Sequence, residues 1–160
     1  MISQRARYAF KALFRLARAG VGESVQIKEI CEADRIPRPF LEQILLELKR
    51  SGFLGSRRGK EGGYFLLRDP SQITLASVLR LLDGPFAPLP CLSKTAYRRC
   101  NDCVDEGACD LRRVFSEMYS KMLNVLETQT LASALRETEK IGRTTRSGAR
   151  KVPLAVEGVD

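Results

Sequence analysis

Between residues 27 and 67 the apolar residues of this 160-residue chain change period, and that change limits the folds open to it. Leu41, Ile44, Leu45 and Leu48 fall at i, i+3, i+4 and i+7, a helical stripe over residues 39–50. A shorter helix over residues 27–33 precedes it, with Ile27, Ile30 and Cys31 on one side, and the turn IPRPF separates the two. Directly after the stripe, GFLGSRRGKEGGYFLLRD breaks into two short apolar strands, 53–54 and 64–67, around a basic glycine-rich turn. Two short helices, a tight turn and a hairpin predict a winged helix-turn-helix. Its second helix enters the major groove of DNA while the wing follows the backbone or minor groove.

The flanking segments complete a mainly α chain with this one small β-hairpin. Ala6, Phe10, Leu13, Phe14 and Ala17 recur near helical spacing over residues 4–19, and Gly20 supplies a stop. After Asp69-Pro70, a further helix turns Leu75, Val78, Leu79 and Leu82 inward and closes at Gly84 and Pro85. Asp110 is placed to N-cap a long helix whose seam, Leu111, Val114, Phe115, Met118, Met122 and Val125, has seven-residue character. TLASALRETEK extends or restarts that helix. From about Gly142 no periodic apolar face remains, and residues 141–160 read as a disordered basic tail.

Net charge is +8 and the pI about 9.5, which favours a polyanionic partner: nucleic acid first, an anionic membrane surface second. The helix-turn-helix gives that charge a specific use. Arg38, Phe40, Glu42 and Gln43 lie off the apolar stripe at the start of the second helix. Gln pairs bidentately with adenine, Glu accepts from cytosine N4, and Phe touches a thymine methyl. In the wing, Arg57, Arg58 and Lys60 stand among Gly59, Gly62 and Gly63, cations for phosphates or a narrow minor groove beside a backbone that permits close approach. Any one of these residues would also suit a plain solvated face; the order of the elements in a basic chain favours DNA.

The chain has no histidine. That removes any mechanism built on a histidine base, and there is no phosphate-cradling loop or nucleophile–base pair to suggest an enzyme. Arg7, Lys11, Arg15 and Arg18 interrupt the apolar start, so no signal-peptide core forms, and no run is long enough for a membrane span. A cytoplasmic protein is expected. In that reducing compartment clustered cysteines ligate metal or sense redox state more often than they form disulfides. Four of the five cysteines lie in CLSKTAYRRCNDCVDEGAC, spaced Cys91-x8-Cys100-x2-Cys103-x5-Cys109. Four thiolates complete a 2Fe–2S or 4Fe–4S cluster or a tetrahedral zinc, and the spacing alone leaves these open. Cys31, on an apolar helix face, reads as a core residue.

RYAFKALFRLA, IKEICEADRIPRPFLEQILLELKRSGFL, RRGKEGGYFL and CDLRRVF together resemble the IscR/NsrR/RirA-type bacterial transcriptional regulators over roughly residues 1–135. The resemblance implies a homodimer joined through the long C-terminal helix, a winged helix in each subunit and, often, an iron–sulfur cluster controlling DNA binding. It carries base-reading roles onto Pro39, Phe40, Glu42 and Gln43, the wing arginine onto Arg58, and three cluster ligands onto Cys91, Cys103 and Cys109. It also tips the metal from zinc, the runner-up, towards iron–sulfur. IscR-like proteins take a fourth ligand from a histidine after the third cysteine, and this chain has none. NsrR-like proteins use an aspartate near the N-terminus, where Arg7 stands here. Cys100 is therefore the candidate fourth ligand, against the reading that it is a bystander thiol.

The resulting expectation divides the chain into a winged helix-turn-helix over 1–84, a cluster-binding loop over 85–110, a dimerisation helix region over 111–140 and the tail. As a function, it is a dimeric regulator of a palindromic double-stranded operator, with affinity modulated by cluster state in response to iron, redox or nitric oxide. One alternative keeps DNA binding but regulates it by cysteine thiol chemistry or a partner protein. Another, of a different class, is a small zinc or iron–sulfur module that docks on proteins.

Overall fold

The computed structural model describes residues 2–147. Its elements are α1 (Gln4–Ala19), α2 (Ile27–Asp34), α3 (Arg38–Arg50), β1 (Leu54–Arg57), β2 (Gly63–Leu66), α4 (Leu75–Asp83), α5 (Asp110–Thr128) and α6 (Leu131–Ser147). Short 3-10 turns stand at Pro70–Gln72 and Pro90–Leu92. The architecture is a winged helix-turn-helix with a long C-terminal helix, as the period change predicts.

α3 forms where its stripe says: Leu41, Ile44, Leu45 and Leu48 are buried, and Gly52 follows the helix in the left-handed region at φ 73°. Each such leucine contributes about 1.5–3 kcal/mol by leaving water. α1 meets this core with a face rotated from the one expected. Ala6, Ala9, Ala12, Leu13 and Leu16 are fully buried, whereas Phe10 and Phe14 lie half-buried at the rim with ring centroids 6.2 Å apart. The physical reason is size, since alanines let neighbouring helices approach closely and the phenyl rings fill the margin. Ser3 caps α1, its Oγ accepting from the Ala6 amide at 3.0 Å, and its own amide donates to Asp83 at the end of α4 at 3.0 Å.

The two strands pair antiparallel, from Leu54 opposite Leu66 to Arg57 opposite Gly63. A third backbone segment joins them: Val25 and Tyr64 exchange both amide–carbonyl bonds at 2.9 Å, tying the loop before α2 to the wing. Glycine is required here, because a Cβ on Gly63 would run into the Val25 carbonyl. One on Gly62 would lie 2.6 Å from the Arg57 carbonyl oxygen and 2.7 Å from that of Gly59.

Beyond α4 the boundaries differ from expectation in two places. Cys109, not Asp110, is the N-cap of α5, its Sγ accepting from the Arg112 amide at 3.4 Å; Asp110 is the first helical residue and pairs with Arg113 at 3.2 Å. α6 is a restart rather than an extension. At the break the Leu75 amide bonds the Gln129 carbonyl at 2.9 Å and the Leu131 amide bonds that of Ile73 at 3.0 Å, with Leu131 fully buried. The chain thereby returns onto the DNA-reading half. α6 runs on to Ser147, into the expected tail; residues 148–160 lie outside those described.

Candidate DNA interface and cysteine cavity

The turn between α2 and α3 is built on one carbonyl. Arg35 adopts the left-handed conformation (φ 53°), its amide bonding the Cys31 carbonyl, and the Ile36 amide joins the same oxygen at 3.0 Å. Ile36 is buried and pins the turn, after which Pro37 and Pro39 open α3 where absent amide hydrogens cost nothing. Cys31 is half-buried against the core, and burial pushes its thiol pKa up against the opposing charge of Arg38. It takes no part in the other cysteines' cavity.

Arg38, Pro39, Phe40, Glu42 and Gln43 all emerge on the exposed side of α3, and Phe40, at 62 % exposure, has no intramolecular reason to be there. Arg38 Nε donates to Glu42 Oε1 at 2.8 Å, so these two side chains satisfy each other. Arg57, Arg58 and Lys60 are exposed on the wing. The Arg57 guanidinium lies 4.8 Å from the centre of the Phe65 ring, and Gln26 Nε2 donates to the Lys60 carbonyl at 3.0 Å. Lys49 Nζ donates to Ser56 Oγ at 2.7 Å, linking α3 to the base of the wing. Helix and wing are thus one rigid presentation of five α3 residues and three wing cations.

The four clustered cysteines come together. Cys91, Cys100, Cys103 and Cys109 all line one cavity of about 350 Å³, with Asp102, Asp105, Glu106 and Arg112 among the other walls. Cys91 sits in the 3-10 turn Pro90–Leu92 and is 6 % exposed, while the other three are half-buried. The Cys103 amide bonds the Cys100 carbonyl at 3.2 Å, folding the C-x2-C pair into a tight turn. Burial raises the Cys100 thiol pKa, and a hydrogen bond with the Cys91 side chain and the charges of Asp102 and Cys103 raise it further. Arg99 ties the turn down by donating to the carbonyls of Cys103 and Val104, at 3.1 and 2.9 Å. Among the described residues no three cysteine or carboxylate side chains converge closely enough to hold a single metal ion. Four thiols around one shared cavity are nonetheless a donor set of the kind that an iron–sulfur cluster or a tetrahedral zinc takes.

Sequence spacing did not single out Arg112. Its guanidinium donates to the Cys91 carbonyl at 2.7 Å and pairs with Glu106 at 3.0 Å, while its amide is the one that caps on Cys109. The only hint in the sequence is its place one turn into the helix that follows the last cysteine.

Residues 2–137 match the Rrf2 family, described as iron-dependent transcriptional regulators. The chain belongs to the Rrf2 family. A protein of Rhodobacter capsulatus named as an rrf2-like HTH-type transcriptional regulator is 44% identical over 138 residues, covering 84% of this chain and 92% of that protein. The HTH-type transcriptional regulator NsrR of Geobacillus kaustophilus is 30% identical over 130 residues, 81% of this chain and 86% of that one. Among solved structures, CymR, the global cysteine regulator of B. subtilis, aligns with TM-score 0.69 and 27% identity over 84% of this chain and 95% of its own. IscR of T. potens aligns with TM-score 0.68 and 26% identity over 88% and 90%. This Rrf2-family chain is therefore a DNA-binding transcriptional regulator with no enzyme among these relatives, and the alternative of a protein-docking module loses its basis. No helix among the described residues is long and apolar enough to cross a membrane.

Proposed function

We propose that this regulator works in the cytoplasm as a homodimer on a palindromic duplex operator, and that an iron–sulfur cluster held by Cys91, Cys100, Cys103 and Cys109 sets its affinity. The observation that carries the reading is that these four thiols, spread along an otherwise irregular segment, line one cavity at the foot of α5. Cysteine ligation would supply a group that is labile to iron starvation, oxygen or nitric oxide. What the chain itself does is mechanical. Residues 85–110 connect α4 to α5 and bury little, so ordering them is costly until their thiols are held. Cys109 is the cap of α5, so its position and the start of that helix move together. α5 is joined to α4 by the Arg80–Glu127 ion pair, and its Tyr119 meets Phe86, in the segment after α4, edge-on with centroids 6.5 Å apart. α4 belongs to the same core as α3.

The dimer follows from α5. Leu111, Val114, Met118 and Val125 are exposed along one stripe, apolar surface that a second copy would cover. Two copies then present two α3 helices to half-sites about one helical turn apart, with Arg38, Pro39, Phe40, Glu42 and Gln43 at base edges and Arg57, Arg58 and Lys60 on the backbone.

A second reading has its own support. Among the described residues no group of three donors is placed to hold a metal ion, so regulation by thiol chemistry alone, without a cluster, also fits the cavity. Anaerobic purification with an absorption spectrum and iron and sulfide counts separates the two. Coloured protein with iron and sulfide is expected; colourless, iron-free protein would leave the thiol reading standing. Repeated on Cys100→Ala, the same counts test the fourth ligand, and an unchanged cluster there would refute it.

A further inference from the structure

We infer that Arg112 is the positioning residue of the cysteine cavity: its guanidinium fork anchors the Cys91 turn to α5, and its charge is what allows so many anionic groups to share one wall. The inference rests on the cluster reading for the second half only. The anchoring half concerns the cluster-free chain.

The guanidinium reaches two places at once: its Nη1 donates to the Cys91 carbonyl at 2.7 Å and pairs with the Glu106 carboxylate at 3.0 Å. Glu106 in turn accepts from the Tyr97 hydroxyl, so the segments bearing residues 91, 97 and 106 are all gathered onto one side chain of α5. Backbone bonds in that turn are otherwise local: the Leu92 amide to the Leu89 carbonyl at 3.0 Å, and the amides of Ser93 and Arg98 to the Pro90 carbonyl at 3.2 Å. Nothing else among these bonds connects the Cys91 turn to the helix. Both contacts leave one nitrogen, Nη1, held in the plane of the guanidinium, a fixed geometry that an ammonium on a flexible stem does not keep.

The charge balance points the same way. Asp102, Asp105 and Glu106 line the cavity together with the four thiols, and among the described lining residues Arg112 is the one cation. Four thiolates added to three carboxylates would repel strongly in a half-buried space, and a fixed guanidinium offsets part of that. Local net charge and hydrogen bonding set the reduction potential of a thiolate-ligated cluster, so a cation removed from this wall makes the site harder to reduce.

The test compares wild type, Arg112→Gln and Arg112→Lys by two readouts. In cluster-free protein, hydrogen exchange at the amides of Leu92, Ser93 and Arg98 should speed up roughly tenfold or more in both variants, because glutamine and lysine each lose the fork. In anaerobically reconstituted protein, redox titration should show a more negative midpoint potential in Arg112→Gln and a value close to wild type in Arg112→Lys, which keeps the charge. Cluster loss to a chelator should quicken roughly tenfold in Arg112→Gln, the usual scale for a lost outer-shell partner. Unchanged exchange in Arg112→Gln overturns the anchor, and an unchanged potential overturns the charge role. Wild type that takes up no iron and sulfide would sink the cluster reading and the charge role with it, while the exchange data still decide the anchor.

Discussion

The DNA-reading half and the cysteine segment are held together by different forces. Residues 2–84, with Leu131 of α6, enclose a core in which Leu13, Leu16, Ile30, Leu41, Leu45, Leu48, Leu54 and Leu66 are fully buried, so α3 and the wing are fixed by apolar packing from several elements. Residues 85–110 contribute little to any core. Phe86 packs against the core and against Tyr119, Cys91 and Ser93 are buried, and the stretch around the other cysteines is held by polar contacts from Arg99, Arg112, Glu106 and Tyr97. Packed apolar cores resist graded deformation, whereas a loop held by a few polar bonds opens at small cost. The reader is therefore packed as one unit, and the segment we propose to change state is the cysteine segment, which meets the cap of α5.

The sharpest way to break that contrast is to damage each half. Leu45→Ala should cost about 2–5 kcal/mol of stability in a denaturant titration, as full burial in a multi-helix core implies. Cys103→Ala in the half-buried loop should cost less than about 1 kcal/mol in cluster-free protein, while iron and sulfide content falls to background. Comparable losses of stability would mean that the segment belongs to the core after all.

On the reader, Arg58→Ala leaves an exposed wing side chain shortened and nothing unpacked. Its melting temperature should match wild type, while the slope of log affinity against log salt becomes shallower by about one and sequence preference stays unchanged. Arg35 probes how rigid the reader's turn is. Replacing this left-handed residue with glycine should stabilise the protein by about 0.5–1 kcal/mol, measured by thermal unfolding, because the strain at φ 53° is relieved. A loss instead would show that the Arg35 side chain holds the turn.

The smallest effect belongs to the joint between the two halves. The Arg80 hydrogen bond holds the Glu127 carboxyl below its ordinary pKa. A depressed folded-state value means stability that is present above the unfolded pKa and lost as pH falls through the folded one. Acidification below the ordinary glutamate range should thus destabilise wild type, and Glu127→Gln should flatten that part of the profile. An identical profile in the variant would show that the pair does not hold α5 to α4.

Much of the reader was legible in the sequence because its signals are local and periodic. The Leu41–Ile44–Leu45–Leu48 stripe, the IPRPF turn and the glycines around Lys60 each dictate structure within a few residues. What escaped depends on contacts distant in sequence. The Val25–Tyr64 pairing is a single bridge with no period to betray it. α1 turns its alanines inward because of the helices it meets, which its own pattern does not contain. Cys109 displaced Asp110 as the cap because the chain enters α5 one residue earlier, and Sγ is the acceptor in place. In the cysteine segment the sequence offered the four thiols that line the cavity, but the convergence of Cys91, Glu106 and Cys109 on Arg112 is a property of the folded loop alone.

On the proposed function, the state of the cysteine cavity sets DNA affinity. The direct measurement uses duplexes selected from a randomised pool, with the affinities of cluster-loaded and cluster-free protein determined anaerobically on the same duplex at fixed salt. A difference of roughly fivefold or more, with steep salt dependence in the tighter form, is the predicted result. Equal affinities from protein verified as loaded and as cluster-free would contradict it.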